Sequence, residues 1–235
     1  MTKAVRAQRS DGGATHGRIL EVAGELFAST GFAETTNKMI AAQAEVDLAS
    51  INYHFGSRNG LYQAVLLAAH NRFVSVESLQ QLASSDRPAR EKLKTLVAGL
   101  VESATVEQGW HARVLSREML SPSSHLQVLL KKEIIGKLQN VLAVLSEITA
   151  IPSGDPALLR CLISVMAPCA MLLVIGRNVS PVADDVRRMP RDALVEHLYG
   201  FAVGGLEAIA QQHLRQRQEG VAKAGRRHAT KGEQP

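Results

Sequence analysis

Six side chains between positions 37 and 53, namely Asn37, Lys38, Leu48, Ala49, Asn52 and Tyr53, bring amides, a cation, a phenol and small apolar groups into one short stretch. That mixture suits the edges of base pairs, where amides and ammonium groups exchange hydrogen bonds and apolar groups meet thymine methyls. Their neighbours leave them free to do so. Thr36, Ile40, Ala41, Ala44, Val46 and Ile51 are spaced to fall on the inner faces of two successive short helices. Helices of seven or eight residues are too short to stand alone and persist only when packed. A small protein keeps such a pair to present its second helix to a DNA major groove, about 12 Å wide. Any compact helical bundle also contains short helices, and spacing alone does not choose between these readings.

The elements that must position this pair are helices too. Ile19, Leu20, Ala23, Leu26 and Phe27 recur at helical spacing and stop at Gly31, which predicts a helix over 15–30 behind a flexible basic arm, residues 1–14. Thr36 caps the first short helix, Asp47 the second through about His54, and Ser57 a longer one carrying Leu61, Val65, Leu66, Ala69 and Phe73. Asp86 and Pro88 open a helix to about Val106. Another begins at Trp110 and ends before Ser121-Pro122, and a third covers 124–149. An apolar helix runs from Asp155-Pro156 to Gly176, and after a loop a last helix covers 191–217. No alternating strand pattern and no fixed-period repeat appears. The expected fold is all-α: a three-helix helix-turn-helix unit at 15–65, a larger α-helical domain at 66–217, and a disordered basic tail at 218–235.

Composition narrows the function classes. With 235 residues, 46% hydrophobic and 21% charged, the chain has a substantial core, and 4% aromatics suit helices better than sheets. Cys161 and Cys169 lie eight residues apart on one expected helix, about 12 Å, too far to bond. The N-terminal stretch lacks the apolar core of a signal peptide, so a cytoplasmic protein is expected. The apolar run 161–176 is about 24 Å long, short of a bilayer core of roughly 30 Å, so no membrane is expected as a partner. No phosphate loop, nucleophile elbow, His-Glu-x-x-His or Cys-x-x-Cys is present, which argues against an enzyme and leaves no cofactor or metal implied; Asp184-Asp185 reads as a solvated loop pair. The net charge of +5 and pI near 9.4 favour an anionic partner. That charge is unevenly placed. Residues 1–65 balance six cations against six anions, whereas residues 215–235 carry +4.

The run Arg18-Ile19-Leu20, Ala23, Leu26-Phe27, Gly31-Phe32, Thr35-Thr36, Ile40-Ala41, Ala44, Val46, Tyr53-His54-Phe55-Gly56-Ser57-Arg58 and Leu61 resembles the N-terminal domain of the TetR family of transcriptional regulators over about residues 15–65. The string Asn52 to Ser57 looks like the CecR-like branch and is also shared with PsrA-like regulators. Arg113-Val114-Leu115, Arg117-Glu118, Ser121-Pro122, Ile134, Ile135 and Leu138 are similar to the CecR-like effector domain, over about 90–178. The resemblance implies a homodimer that binds double-stranded operator DNA and is released by a small-molecule effector. It implies phosphate contacts from Thr36, Tyr53, His54 and Arg58, whose side chains have the donors to make them. Lys38 suits guanine O6 or N7, Leu48 and Ala49 a thymine methyl, and Asn37 and Asn52 adenine edges.

The last two long helices are the candidates for the dimer interface, through Leu158, Leu162, Val165 and Leu172 on one and Leu198, Phe201, Gly205 and Ile209 on the other. An effector pocket is expected within 70–180, lined by Trp110, Val114, Met119, Met166 and Cys169 with the polar Arg117, Glu118 and Arg177. Two departures from the family pattern stand out. Glu45 occupies the usual glycine of the turn, which must then be right-handed or carry about a kcal/mol of strain. Asn59-Gly60 weakens the start of the following helix by about 1 kcal/mol. A helical interaction protein would not need Tyr53, His54 and Arg58 outward together; a transcriptional activator would use the same head.

Overall fold

The structure is a computed structural model that describes residues 3–73, 75–105, 109–129, 131, 134–174, 185, 186 and 188–229. Its helices are α1 (Lys3–Thr30), α2 (Asn37–Ala44), α3 (Leu48–Phe55), α4 (Arg58–Phe73), α5 (Val76–Ser84), α6 (Ala89–Thr105), α7 (Gly109–Leu120), α8 (Ser124–Leu129), α9 (Ile135–Thr149), α10 (Pro156–Val174) and α11 (Arg191–Ala229). No strand occurs among the described residues.

Two apolar cores organise them. The first gathers Ile19, Phe27, Ile40, Ile51, Leu61 and Leu66 from α1 to α4, and is completed by Trp110, Val114 and Leu115 of α7 and Leu129 of α8. The second gathers Leu93 and Val97 of α6, Val144 and Leu145 of α9, Leu158 and Cys161 of α10, and Leu194 and Leu206 of α11. α4 lies in the first core from Leu61 to Ala69, and at its C-terminal end His70 and Asn71 meet Lys137 of α9. Sixteen residues of helix span roughly 24 Å.

Several expected boundaries are corrected. α1 begins at Lys3, so the segment read as a flexible arm is helical; Ala, Arg and Gln between positions 4 and 9 favour the helix enough to carry it across Gly12 and Gly13. α5 lies where the sequence pattern predicts no helix: Ser75 accepts a hydrogen bond from the Ser78 amide at 3.0 Å as its cap, and Leu79 is buried in the second core. The helix expected over 124–149 is described in two stretches, α8 and α9, with Lys131 and Ile134 in wider, π-helical backbone between them; Leu129 belongs to the first core and Val141 to the second. α11 continues past 217 to Ala229, through most of the expected tail, because Gln, Arg, Glu, Ala and Lys are all good helix formers. Over Arg191–Glu219 it is long and apolar enough to cross a membrane by length and composition. Leu194, Val195 and Leu206 are instead buried in the second core.

Candidate nucleic-acid interface

The turn between α2 and α3 is built by local hydrogen bonds. Thr36 holds extended backbone (φ −104°, ψ 155°) and its hydroxyl accepts from the Met39 amide at 3.2 Å. Asp47 caps α3 in the same way, its carboxylate accepting from the Ser50 amide at 2.6 Å and the Ser50 hydroxyl at 2.7 Å. These bonds hold the Asp47 carboxyl below its ordinary pKa, the Ser50 side chain first and the backbone amide second. Ser57 caps α4 through the Gly60 amide at 3.0 Å. Between the first two caps, Glu45 is left-handed (φ 53°, ψ 49°), and the Val46 amide closes the turn on the Ala41 carbonyl at 3.0 Å. Of the two alternatives the sequence left open, the strained one is realised. Glu45→Gly is expected to stabilise the protein by about 0.5–1 kcal/mol, the relief of the left-handed strain outweighing glycine's greater chain entropy. Urea unfolding checks this, and a loss of stability would contradict it.

Burial of Ile40, Ala41, Ala44 and Ile51 sets the outward face, as their spacing predicts. Lys38, Ala49 and Asn52 are exposed, Leu48 is 43% exposed and Tyr53 85%. Asn37 differs: it is half-buried, and its side-chain oxygen is enclosed without a hydrogen-bond partner, so it is poorly placed to pair with an adenine edge. His54 is half-buried edge-on to Tyr53 and His16, with ring centroids 5.0 and 5.8 Å away.

Arg58 corrects the expectation most. Its guanidinium turns inward, donating to the backbone carbonyls of Phe32 and of Ala33 (3.1 Å for the latter) and lying 4.2 Å over the Phe32 ring. Two adjacent carbonyls, both reached from Nη2, and an aromatic face hold the guanidinium in place, while its Nε is enclosed without a hydrogen-bond partner. Arg58 therefore fixes the loop that delivers Thr36, and Tyr53, His54 and Arg58 do not point outward together.

Four of the eight residues expected to line an effector pocket serve the joint between head and body. Trp110 is buried, its indole N–H donating to Glu21 at 2.7 Å and its ring pressed on Gly24. Val114 is in the first core. Glu118 is 3% exposed and accepts from the Tyr62 hydroxyl at 2.6 Å and the Ser123 amide at 2.9 Å. Burial first, then these contacts with Glu118, raise the Tyr62 pKa. The Arg117 guanidinium lies beside Gly31, which ends α1 with φ 87°. Met119 is exposed and Cys169 is packed in the second core. Arg177 lies outside the described residues. The physical reason is that α7 packs back on α1 and α4 rather than around a cavity.

The cavity lies elsewhere, between the end of α4, α5, α6 and α9, with a volume of about 780 Å³; Met166 is the one expected residue that lines it. Its polar wall is made by His70 and Lys137, whose Nδ1 and Nζ are 2.8 Å apart, and by Asn71, which accepts from the same ammonium at 2.8 Å. These were missed, although Lys137 interrupts the apolar stripe Ile134, Val141, Val144 in phase with it. Burial first and the Lys137 charge second lower the His70 pKa from 6.5 to about 4. The unfolded chain takes up a proton there near pH 6.5 and the folded chain only near 4. Stability falls as pH drops through that window. Urea midpoints at pH 7 and 5 should therefore diverge more in the native protein than in His70→Asn; equal divergence would assign the effect to other groups.

The expected dimer contacts are also redistributed. Leu158, Leu162 and Val165 turn into the second core, and Leu172, Leu198 and Ile209 pack half-buried against it. Phe201 is 73% exposed and Gly205 is exposed. On α10 the outward apolar residues are Leu159, Ile163 (66% exposed) and Met171, which share one face by their spacing of four and eight.

With this geometry, comparison with known proteins is specific. Residues 19–65 match the model of bacterial regulatory proteins of the tetR family, and residues 89–215 match that of the C-terminal domain of the HTH-type transcriptional dual regulator CecR. The chain belongs to the TetR family of DNA-binding transcriptional regulators, in its CecR-like branch, and is not an enzyme. No curated protein sequence matches it. Among solved structures, a TetR-like regulator from Rhodococcus sp. RHA1 is 21% identical with a TM-score of 0.60, covering 82% of this chain and 95% of its own. The fatty acid degradation regulator FadR from Bacillus halodurans is 18% identical with a TM-score of 0.63, covering 82% and 96%. FadR from Bacillus subtilis, in complex with stearoyl-CoA, is 16% identical with a TM-score of 0.62, covering 80% and 97%.

Proposed function

We propose that the protein is a homodimeric cytoplasmic repressor that binds a palindromic operator and releases it when a small molecule fills the cavity between α4, α5, α6 and α9. The observation that carries this reading is the exposed face of α2 and α3. It presents Lys38, Leu48, Ala49, Asn52 and Tyr53 around a turn rigidly capped at both helices, and two such heads one helical turn apart read a palindrome. The outward apolar residues of α10 and α11 support pairing. α4 supports the coupling: its first residue, Arg58, holds the loop before Thr36, while His70 and Asn71 near its end hold the cavity wall. A ligand that prefers one setting of α4 and an operator that prefers another oppose each other by their differential affinities.

The test is a gel-shift and light-scattering pair on the purified protein. A dimer that binds DNA upstream of its own gene with steep salt dependence is expected, and Phe201→Glu should yield a folded monomer with operator affinity reduced at least about a hundredfold. A Phe201→Glu protein that remains a dimer would overturn the assigned interface, and native protein indifferent to that DNA would overturn the repressor reading.

A further inference from the structure

Resting on the reading of the head as an operator binder, we infer that the C-terminal end of α11 is a second, non-specific DNA-binding element that holds a different duplex from the one under the head, so that the protein at its operator bridges two duplexes. The body gives the direction. Ile134, at the entry to α9, packs against the first core, whereas Glu147 near the other end of α9 meets Lys92 near the start of α6 at 3.2 Å. The end of α6 lies back at the head, where Gly109 and Trp110 begin α7 against α1. α11 runs antiparallel to α6: Arg191 pairs with Glu102 at 3.0 Å, Glu196 with Lys94 at 2.5 Å, and Glu207 with Arg90. It therefore points away from the head. His213 still touches the body, with a ring nitrogen 3.6 Å from the Asp155 carboxylate, and every residue from Leu214 to Glu219 is exposed. From Glu207 to Ala229 the helix reaches about 33 Å further.

This far end is basic. Over residues 215–229, Arg215, Arg217, Lys223, Arg226 and Arg227 stand against the single anion Glu219. Positions 215, 223, 226 and 227 fall within about 120° of one another around the helix, so four of the five cations share one face. The rest of the composition selects the partner. Val221 is the one bulky aliphatic residue in the stretch, which has no Trp, Tyr, Phe, Leu, Ile or Met. A helix that lies on a membrane needs a bulky apolar face opposite its cations. A protein interface needs aromatic or aliphatic anchors, and a single strand needs rings on which its bases stack. A duplex asks only for cations along its phosphates. The duplex under the head is out of reach, because an operator of roughly 30 base pairs is far shorter than the persistence length of about 150 and does not fold back around the body.

Beads carrying a short operator duplex from upstream of the protein's own gene are saturated with the full-length protein, washed, and offered a labelled duplex of unrelated sequence at low salt. The loaded beads are expected to capture it, and capture should fall steeply as salt is raised. A variant combining Arg215→Gln, Lys223→Gln, Arg226→Gln and Arg227→Gln should capture at least about tenfold less while loading on the operator within about twofold of the native protein. Its charge-keeping counterpart, Arg215→Lys with Arg226→Lys and Arg227→Lys, should capture as the native protein does. Undiminished capture by the glutamine variant, or an equal loss of operator loading and capture, would overturn the bridge. So would capture of phosphatidylglycerol vesicles at a salt concentration that already releases the second duplex, which would assign the helix to a lipid surface. Native protein that loads and leaves the second duplex in solution overturns the bridge alone. Native protein that does not load overturns the regulator reading and the bridge together.

Discussion

Gly24→Ala is expected to lower the melting temperature by roughly 5–10 °C. A Cβ built on Gly24 would sit 2.3–2.5 Å from three carbons of the Trp110 ring, well inside van der Waals contact, and the indole is a rigid plate with no flexible end to swing away. Trp110 is also tethered by the 2.7 Å bond from its N–H to Glu21, one turn earlier on α1. Overpacking of this kind costs about 2–3 kcal/mol, and for a chain of this length each kcal/mol moves the midpoint by roughly 2–4 °C. The complementary change, Trp110→Leu, costs about 3 kcal/mol as a cavity. Combined with Gly24→Ala it should cost clearly less than the two separately, because the new methyl enters the space the indole vacates. Additive costs would mean that the two residues do not press on each other. The same seam carries Glu25 and Arg113 as an ion pair, so a displaced α7 also alters how the head is held.

Tyr53→Ala should weaken operator binding by about thirtyfold with no change in stability. The phenol is 85% exposed and packs only edge-on to His54, so its removal leaves the fold untouched. In a dimer two phenols are lost, each worth about 1 kcal/mol as a hydrogen bond to phosphate, which together give that factor. Because tyrosine is neutral, the slope of affinity against salt should be unchanged. Lys38→Ala should instead reduce that slope by about two, one released counterion per head, if the ammonium rests on phosphate. A Lys38 that reads guanine would leave the slope nearly intact and relax the preference at one base position. Undiminished operator affinity in Tyr53→Ala would remove the α3 face from the interface.

What could be read from the sequence follows the range of the interactions. The caps were legible because Thr36, Asp47 and Ser57 act on amides three residues ahead. The inner and outer faces of α2 and α3 were legible because helical periodicity alone separates Ile40, Ala44 and Ile51 from Lys38, Asn52 and Tyr53. Arg58 was not, since its partners are carbonyls 25 and 26 residues away in a loop whose path no local pattern encodes. Trp110 and Val114 were correctly apolar and buried, but periodicity does not say against which core, and the head claimed them. On α10 apolar residues occur on every side, Leu158 and Leu162 beside Leu159 and Ile163, so no polar face marked which set turns inward. Lys137 was the opposite case, a charge in phase with an apolar stripe.

The ownership of α7 has a consequence for how the molecule can be taken apart. A fragment ending near residue 65, where the sequence pattern closes the DNA-binding unit, would leave Phe27, Ile19 and Leu61 without the indole and aliphatic groups that cover them, and would strip Tyr62 of its carboxylate acceptor. The reading head is not a transplantable module. A chimera that moves this specificity onto another body must bring α7 with it, or rebuild on the recipient a surface that fits the groove at Gly24.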